Sequence, residues 1–282
     1  MAREILAKIP RRSFLWIFLL WFIRIHVLLA STRNHTLSTE LVLAAYLPDY
    51  RFAANLNSLA LHVTDLILFS ISPNADGSIG LTSGKSTCCL STSNYLVARA
   101  ARRHKRRSCQ GSTSCAGGSK LRLLVSVGGG GRSQNFASLV ANADNRSRFV
   151  EEILELCSRE ELDGVDFDWE QPQNQKEMLG YLSLIVETWS AFQQSSLHLI
   201  VTVALHPNQF LPNAIFPYVD RIHVMTYDMI APSSDGMFSH HARFDTAREK
   251  LEAFAKKGCP RSKLTLGIPA YGRHAREPNR VM

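Results

Sequence analysis

The stretch from Leu162 to Glu170 carries carboxylates at every second position: Asp166, Asp168 and Glu170, with Val165, Phe167 and Trp169 between them. In a strand, successive side chains point to opposite faces. The three acids therefore line one face at about 6.6–7 Å per two-residue step, and the apolar residues line the other. Like charges gathered on one strand repel and resist desolvation, so stability alone does not explain the pattern. An exposed edge strand with a solvated acidic face is the bland reading. The apolar opposite face and the tight Asp163-Gly164 before it argue against that. The chemistry that uses clustered acids is proton transfer. Glu170, last on the face and nearest the strand's carboxyl end, is the expected general acid, because Asp166 and Asp168 behind it raise the cost of its ionisation. A carboxyl that stays protonated near neutral pH can give its proton to a leaving-group oxygen.

The string Asp163-Gly164-Val165-Asp166-Phe167-Asp168-Trp169-Glu170 resembles the acidic signature of family 18 glycoside hydrolases, the chitinase family: Asp-Gly-x-Asp-x-Asp-Trp-Glu, with every position filled. Met225-Thr226-Tyr227-Asp228 resembles that family's Met-x-Tyr-Asp pattern, and Ser126-Val127-Gly128-Gly129 its Ser-x-Gly-Gly. The resemblance implies hydrolysis of β-1,4-linked N-acetylglucosamine polymers, chitin or chitooligosaccharides, by a substrate-assisted retaining mechanism. By that resemblance the substrate's N-acetyl oxygen attacks the anomeric carbon. Asp168 orients the acetamide and shares a proton with Asp166, while Tyr227 hydrogen-bonds the acetamide. Met225 and Asp228 belong to sugar binding, and Gly128 and Gly129 to close backbone packing at the mouth. Tyr46 and Phe69, on the first two strands, are candidates for the pocket floor, with plain core packing as the alternative. No cofactor is implied. His206, His223, His240 and His241 do not form a metal set by spacing, and read as loop or packing histidines; Trp189 reads as core.

The elements that must position these residues alternate. Short apolar runs read as strands at Leu41–Tyr46, Val63–Ile71, Leu121–Val127, the acidic stretch, Leu199–Leu205, Val219–Tyr227 and Leu264–Ala270. Helical patterns read at Ser93–Arg107, Asp144–Arg159, Asn174–Gln193 and Asp245–Lys257. Buried strands alternating with helices imply βαβ units and a parallel sheet. The expected fold is α/β, a TIM (β/α)8-type barrel with its chemistry at the carboxyl ends of the strands. An open doubly wound sheet is the runner-up, but no Gly-x-Gly-x-x-Gly opens a helix after the first strand. The resemblance covers Leu41 to Arg273. The family barrel has an eighth strand carrying a tryptophan under the reacting sugar, whereas nine residues follow Arg273 and the tryptophans after residue 30 are Trp169 and Trp189. The expectation is a barrel over residues 40–282 that is incomplete after its seventh strand. A chitinase-like protein that binds glycans without hydrolysis is the alternative function.

Composition bounds the rest. The 282 residues carry a formal net charge of +8, but residues 1–30 hold +4 and residues 85–122 hold +9, leaving −5 on the remainder. That is not the footprint of a nucleic-acid binder. Arg3, Lys8, Arg11 and Arg12 precede an apolar run from Phe14 to Ile23, broken by Arg24. Residues 1–30 read as a signal peptide cleaved near Ala30, with an uncleaved signal anchor, and so a membrane-attached protein, as the alternative. A secreted, monomeric glycoprotein is the expectation. Asn34-His35-Thr36 and Asn145-Arg146-Ser147 are glycosylation acceptors by sequence. Of six cysteines, Cys88, Cys89, Cys109 and Cys115 fall in a basic insert over residues 84–120, where a local bridge is expected. None shows the doubled Cys-x-x-Cys spacing of a zinc site. The insert's helix ends in Arg102-Arg103-His104-Lys105-Arg106-Arg107, read as a solvated end with cations favoured by the helix dipole. Gly80-Leu81-Thr82-Ser83-Gly84-Lys85-Ser86 is one residue short of a phosphate loop and is rejected as one.

Overall fold

In the computed structural model, residues 41–51, 55–79, 91–230 and 240–273 are described. Seven strands lie in chain order in one sheet: β1 (Ala44–Pro48), β2 (Asp65–Ile71), β3 (Arg122–Gly128), β4 (Gly164–Asp168), β5 (Ile200–Leu205), β6 (Arg221–Val224) and β7 (Leu264–Leu266). Every neighbouring pair is parallel. Parallel neighbours need a crossover, and α2 (Thr92–Ser108), α4 (Ala143–Glu160), α5 (Gln175–Gln194) and α6 (Phe244–Lys256) supply the long ones. Two short helices, α1 (Leu56–His62) and α3 (Phe136–Ala141), were not legible in the sequence. Seven and six residues are too few for a 3.6-residue period to stand out.

Local chemistry sets the helix ends. Asn142 Oδ1 accepts from the Asp144 N–H at 2.8 Å at the start of α4. Asn174 Oδ1 accepts from the Glu177 N–H at 3.0 Å at the start of α5, and its own amide donates back to Glu177 Oε1 at 2.7 Å. The apolar alternation of β4 then does what its period predicts. Phe167 faces the helices, 6.4 Å from the rings of both Phe149 on α4 and Tyr181 on α5. Trp169 stacks on Phe136 of α3 at 5.1 Å, in the same outer layer.

The sheet is curled, which excludes the doubly wound alternative. In a flat sheet β1 and β6 would stand about 24 Å apart. Here Tyr46 on β1 and His223 on β6 are in ring contact at 5.8 Å, and Asp65 on β2 accepts a hydrogen bond from Arg221 on β6 at 2.9 Å. The architecture is a (β/α)8-type barrel of seven parallel strands. Among the described residues, no strand bridges β7 to β1. The two edges expose Leu41, Leu43, Leu266 and Ile268.

Several strand limits differ from the expected ones. β1, expected over Leu41–Tyr46, begins at Ala44 and runs on to include Pro48. Proline is tolerated there because a sheet-edge position needs no donor. β6 ends at Val224 and β7 at Leu266. One cross-strand bond follows each, from the Met225 N–H to the Leu205 carbonyl and from the Gly267 N–H to the Val224 carbonyl, both at 2.9 Å. Past Met225 the bonds turn local, with the Thr226 N–H donating to the Val224 carbonyl and the Tyr227 N–H to the Met225 carbonyl, both at 2.8 Å.

The basic helix end is not uniformly solvated. Arg103, Arg106 and Arg107 are exposed, but Lys105 is buried, with its ammonium on the carbonyls of Val63 and, at 2.6 Å, Ala116. Arg102 bridges Glu161 and Asp163. Lys105 thus pins the following loop to the start of β2, and a Cys109–Cys115 disulfide closes that loop. Cys157 and Cys259 are free and buried. Asn145 lies inside α4 with its side-chain amide donating to the Ala75 carbonyl at 2.8 Å, so glycan attachment there would have to break that bond. The leader, Asn34, the string from Gly80 to Ser86, and Cys88 and Cys89 lie outside the described residues. Among the described residues, no helix is long and apolar enough to cross a membrane.

Candidate active site

Asp166 and Asp168 point into the barrel, where Asp166 is 0% and Asp168 5% exposed. Asp166 is tied to three other strands. Tyr46 Oη on β1 donates to its Oδ2 at 2.9 Å, and Ser126 Oγ on β3 donates to the same oxygen at 3.2 Å. Thr202 Oγ1 on β5 donates to Oδ1 at 2.5 Å. A carboxylate ringed by three hydroxyl donors is an acceptor with most, not all, of its lone-pair sites used. Tyr46 is therefore part of the floor and not merely core, and burial together with Asp166 pushes its phenol pKa well up. Asp163, the first acid of the signature, serves the frame instead: its Oδ2 accepts from the Leu123 N–H at 2.8 Å and pairs with Arg102.

Asp168 has the opposite surroundings. Its Oδ1 is buried with no hydrogen-bond partner. Burial first, then the charges of Asp166 and Glu170, raise its pKa well above the usual carboxylate range. Glu170, expected as the third acid on the strand, lies past the strand end at Asp168 and is exposed. The sequence reading assigned the retained proton to Glu170. The structure puts the desolvation on Asp168, because β4 ends there and Glu170 lies beyond the strand and exposed, ahead of Gln171 at a φ of 78°. Gly130 lies under the Glu170 carboxylate; a Cβ there would stand 3.6 Å from Oε1.

The glycine run is closely packed at Gly128 and Gly129. A Cβ on Gly128 (φ +96°) would meet the Asp168 carbonyl at 2.4 Å, and one on Gly129 (φ +87°) would meet the Phe69 ring at 2.3 Å and Asp168 Oδ2 at 3.2 Å. The Gly129 N–H donates to the Asp168 carbonyl at 2.6 Å. Phe69 thus lies against the glycine loop after β3, which also borders Asp168 at the end of β4. Arg132 covers the Phe69 ring at 5.7 Å and reaches Asp49 at 2.7 Å, tying the mouths of β1, β2 and β3 together.

Met225, Tyr227 and Asp228 lie in the loop after β6 rather than on a strand face. Met225 is half-buried and its N–H donates to the Leu205 carbonyl at 2.9 Å. Tyr227 is also half-buried; burial, then the Asp168 charge, pushes its hydroxyl pKa up. Asp228 does not stand free for a ligand. It accepts from Arg273 Nε at 2.7 Å and from Tyr271 Oη at 2.8 Å, with His241 Nδ1 at 3.2 Å. The Arg273 guanidinium is the main reason its pKa falls to about 2.

Sequence reasoning missed Thr202, His223, Arg132, Tyr271 and Arg273. For two of them a signal existed: Thr202 and His223 are the polar residues within otherwise apolar strand runs, Val201–Val203 and Ile222–Val224. His223, read as packing, sits at the floor with Nε2 4.0 Å from Asp166 Oδ1. Among the described residues, no group of three or more His, Cys, Asp or Glu is placed to hold a metal ion.

Residues 59–280 match the model of glycosyl hydrolases family 18. The chain is 27% identical over 185 residues to the class V chitinase CHIT5a of Medicago truncatula, covering 56% of this chain and 48% of that protein. It is 30% identical over 183 residues to chitotriosidase-1 of Mus musculus, covering 55% of this chain and 39% of that protein. The chain thus spans about half or less of the length of these curated relatives. The fold is similar to that of a GH18 chitinase from Cycas revoluta solved in complex with (GlcNAc)3, with a TM-score of 0.63 and 22% identity, covering 83% of this chain and 75% of that one.

Proposed function

The chain belongs to glycosyl hydrolase family 18, and from that premise we propose that it hydrolyses β-1,4-linked N-acetylglucosamine polymers, chitin or chitooligosaccharides. The reaction retains configuration, and the substrate's own acetamide oxygen is the nucleophile. Glu170 gives its proton to the glycosidic oxygen. Asp168 faces the acetamide N–H and stabilises the cyclic cation once its proton has passed to Asp166. Tyr227 donates to the acetamide oxygen. No second carboxylate nucleophile and no cofactor is needed.

One observation carries this reading. The carboxyl end of β4 presents an exposed acid, Glu170, two residues past a buried one, Asp168, whose pKa is raised by burial and by the charges of Asp166 and Glu170, and the strand also carries a floor acid, Asp166, held by three hydroxyls. Such a graded environment separates acid roles within one cluster. The test is cleavage of chitooligosaccharides by the protein against its Glu170→Gln variant. The variant is expected to lose about 10²–10⁴-fold in kcat, and equal turnover by the two proteins would sink the mechanism.

Glycan binding without hydrolysis has one observation in its favour. Trp169 and Trp189, the tryptophans among the described residues, pack on Phe136 and Tyr218 in the outer layer, so neither floors the site. That reading expects chitin retention with no released product. Action in the secretory pathway is part of the proposal, supported by the apolar leader and by the Cys109–Cys115 disulfide.

A further inference from the structure

The barrel floor holds a titratable side chain that the reaction above leaves unused. His223 is 7% exposed, and its Nε2 is buried without a hydrogen-bond partner. That nitrogen stands 4.0 Å from Asp166 Oδ1, the oxygen that also accepts from Thr202. The other ring nitrogen, Nδ1, lies 2.6 Å from Thr265 Oγ1 on β7. The same hydroxyl reaches the Ile222 carbonyl at 3.3 Å. Tyr46 holds the ring edge-on at 5.8 Å.

We propose that His223 is a positioning residue for Asp166, an imidazole whose charge decides which of Asp166 and Asp168 keeps the proton they share. Thr265 is what makes two charge states tolerable. With its hydroxyl turned to Nδ1, it holds the neutral ring, whose N–H then sits on Nε2 and faces Asp166. With the hydroxyl turned to the Ile222 carbonyl, Thr265 accepts from an Nδ1–H, and the ring is an imidazolium. The step is the uptake of one proton from solvent at Nδ1, and Nε2–H faces Asp166 throughout.

The consequence for the reaction rests on the glycosidase reading. A charged ring favours the anionic form of Asp166, so the shared proton stays on Asp168, which then cannot act as the anion beside the acetamide. A neutral ring lets Asp166 take that proton. The groups acting on the ring come from every wall around it. Burial is the largest and disfavours its charge, as does Arg221 on its own strand, whereas Asp166 on β4 and Asp65 on β2 favour it. Tyr46 on β1 and Thr265 on β7 contribute contact and a hydrogen bond. The balance lowers the pKa from the ordinary histidine value of about 6.5. Proton uptake, and with it a loss of turnover, is therefore expected on the acid side of that value.

Nitrogen NMR of the imidazoles in the full chain tests the coupling without any substrate. The neutral ring is expected as the Nε2–H tautomer. Asp166→Asn is expected to lower the apparent pKa of His223 by about one unit, a tenfold shift. A neutral Nδ1–H tautomer, or a titration that Asp166→Asn leaves in place, overturns the proposal. Should Asp166→Asn not fold, Thr202→Val takes its place. It strips a donor from Asp166 Oδ1 and is expected to move the titration upward; no movement overturns the proposal equally. Kinetically, His223→Asn keeps an amide toward Thr265 but cannot titrate, so the acid limb of the kcat/KM profile is expected to move by about one pH unit or more. An unchanged limb overturns the proposal. A wild-type chain that cleaves no chitooligosaccharide at any pH sinks the glycosidase reading instead, and the NMR coupling then decides this one alone.

Discussion

Asp168 Oδ1 meets no hydrogen-bond donor inside the barrel, and burial with two acidic neighbours holds its pKa well up. That has a stability consequence. The folded-state pKa lies above the unfolded value of about 3.9. Between the two the folded state binds more protons, so stability falls as pH rises through that interval. Asp168→Asn keeps the shape and removes the ionisation. It is expected to melt above the parent at pH 7, by on the order of a few degrees, with the gap closing toward about pH 3. Calorimetry across pH checks this, and a variant that melts below the parent at pH 7 would refute it. Which residues form the cluster was legible because a period of two in acids has few structural uses. Which of them is desolvated was not, because that depends on where the strand stops.

The loop after β6 and the segment after β7 behave as one element. Asp228, at a φ of 56°, draws Tyr271, Arg273 and His241 onto one carboxylate. Its depressed pKa means the cluster is intact above the unfolded value of about 3.9 and is lost as pH falls toward about 2. Asp228→Ala is expected to release residues 268–273 at neutral pH. Faster hydrogen exchange or proteolytic cutting there, matched by the parent only on acidification, is the measurable outcome; protection equal to the parent's would count against the cluster. The sequence reading ran the two strands on to Tyr227 and Ala270 because the composition stays apolar. After β6, local carbonyl bonds such as Thr226 to Val224 end the ladder instead. Lys105 is a similar case, since a basic run on a helix does not reveal which lysine points at buried carbonyls.

Across the whole molecule, the curl of the sheet is fastened on the side opposite the site. Asp65, 1% exposed, accepts from Arg221 on β6 at 2.9 Å and Arg122 on β3 at 3.1 Å, with Thr64 Oγ1 at 2.8 Å. Removing one member of a buried pair leaves the other charge uncompensated. Asp65→Ala is expected to cost about 3–5 kcal/mol in urea denaturation, and a loss below about 1 kcal/mol, typical of exposed pairs, would show the fastening to be idle.

The chain's own order of residues determined the strand–helix alternation, the parallel sheet and the position of the carboxylates on β4, because periods of 2 and 3.6 and an acid at every second position are written locally. It also carried the three motifs that identify the family. Tertiary structure decided the rest. Asp166 meets Tyr46, Ser126, Thr202 and His223 only after β1 to β6 have curled into one wall, so its hydrogen bonds have no sequence signal of their own. Burial, which raises the Asp168 pKa and lowers that of His223, is a property of the closed surroundings and not of any segment. Distances across a barrel interior follow from curvature, and curvature is set by contacts between residues as far apart in the chain as Asp65 and Arg221.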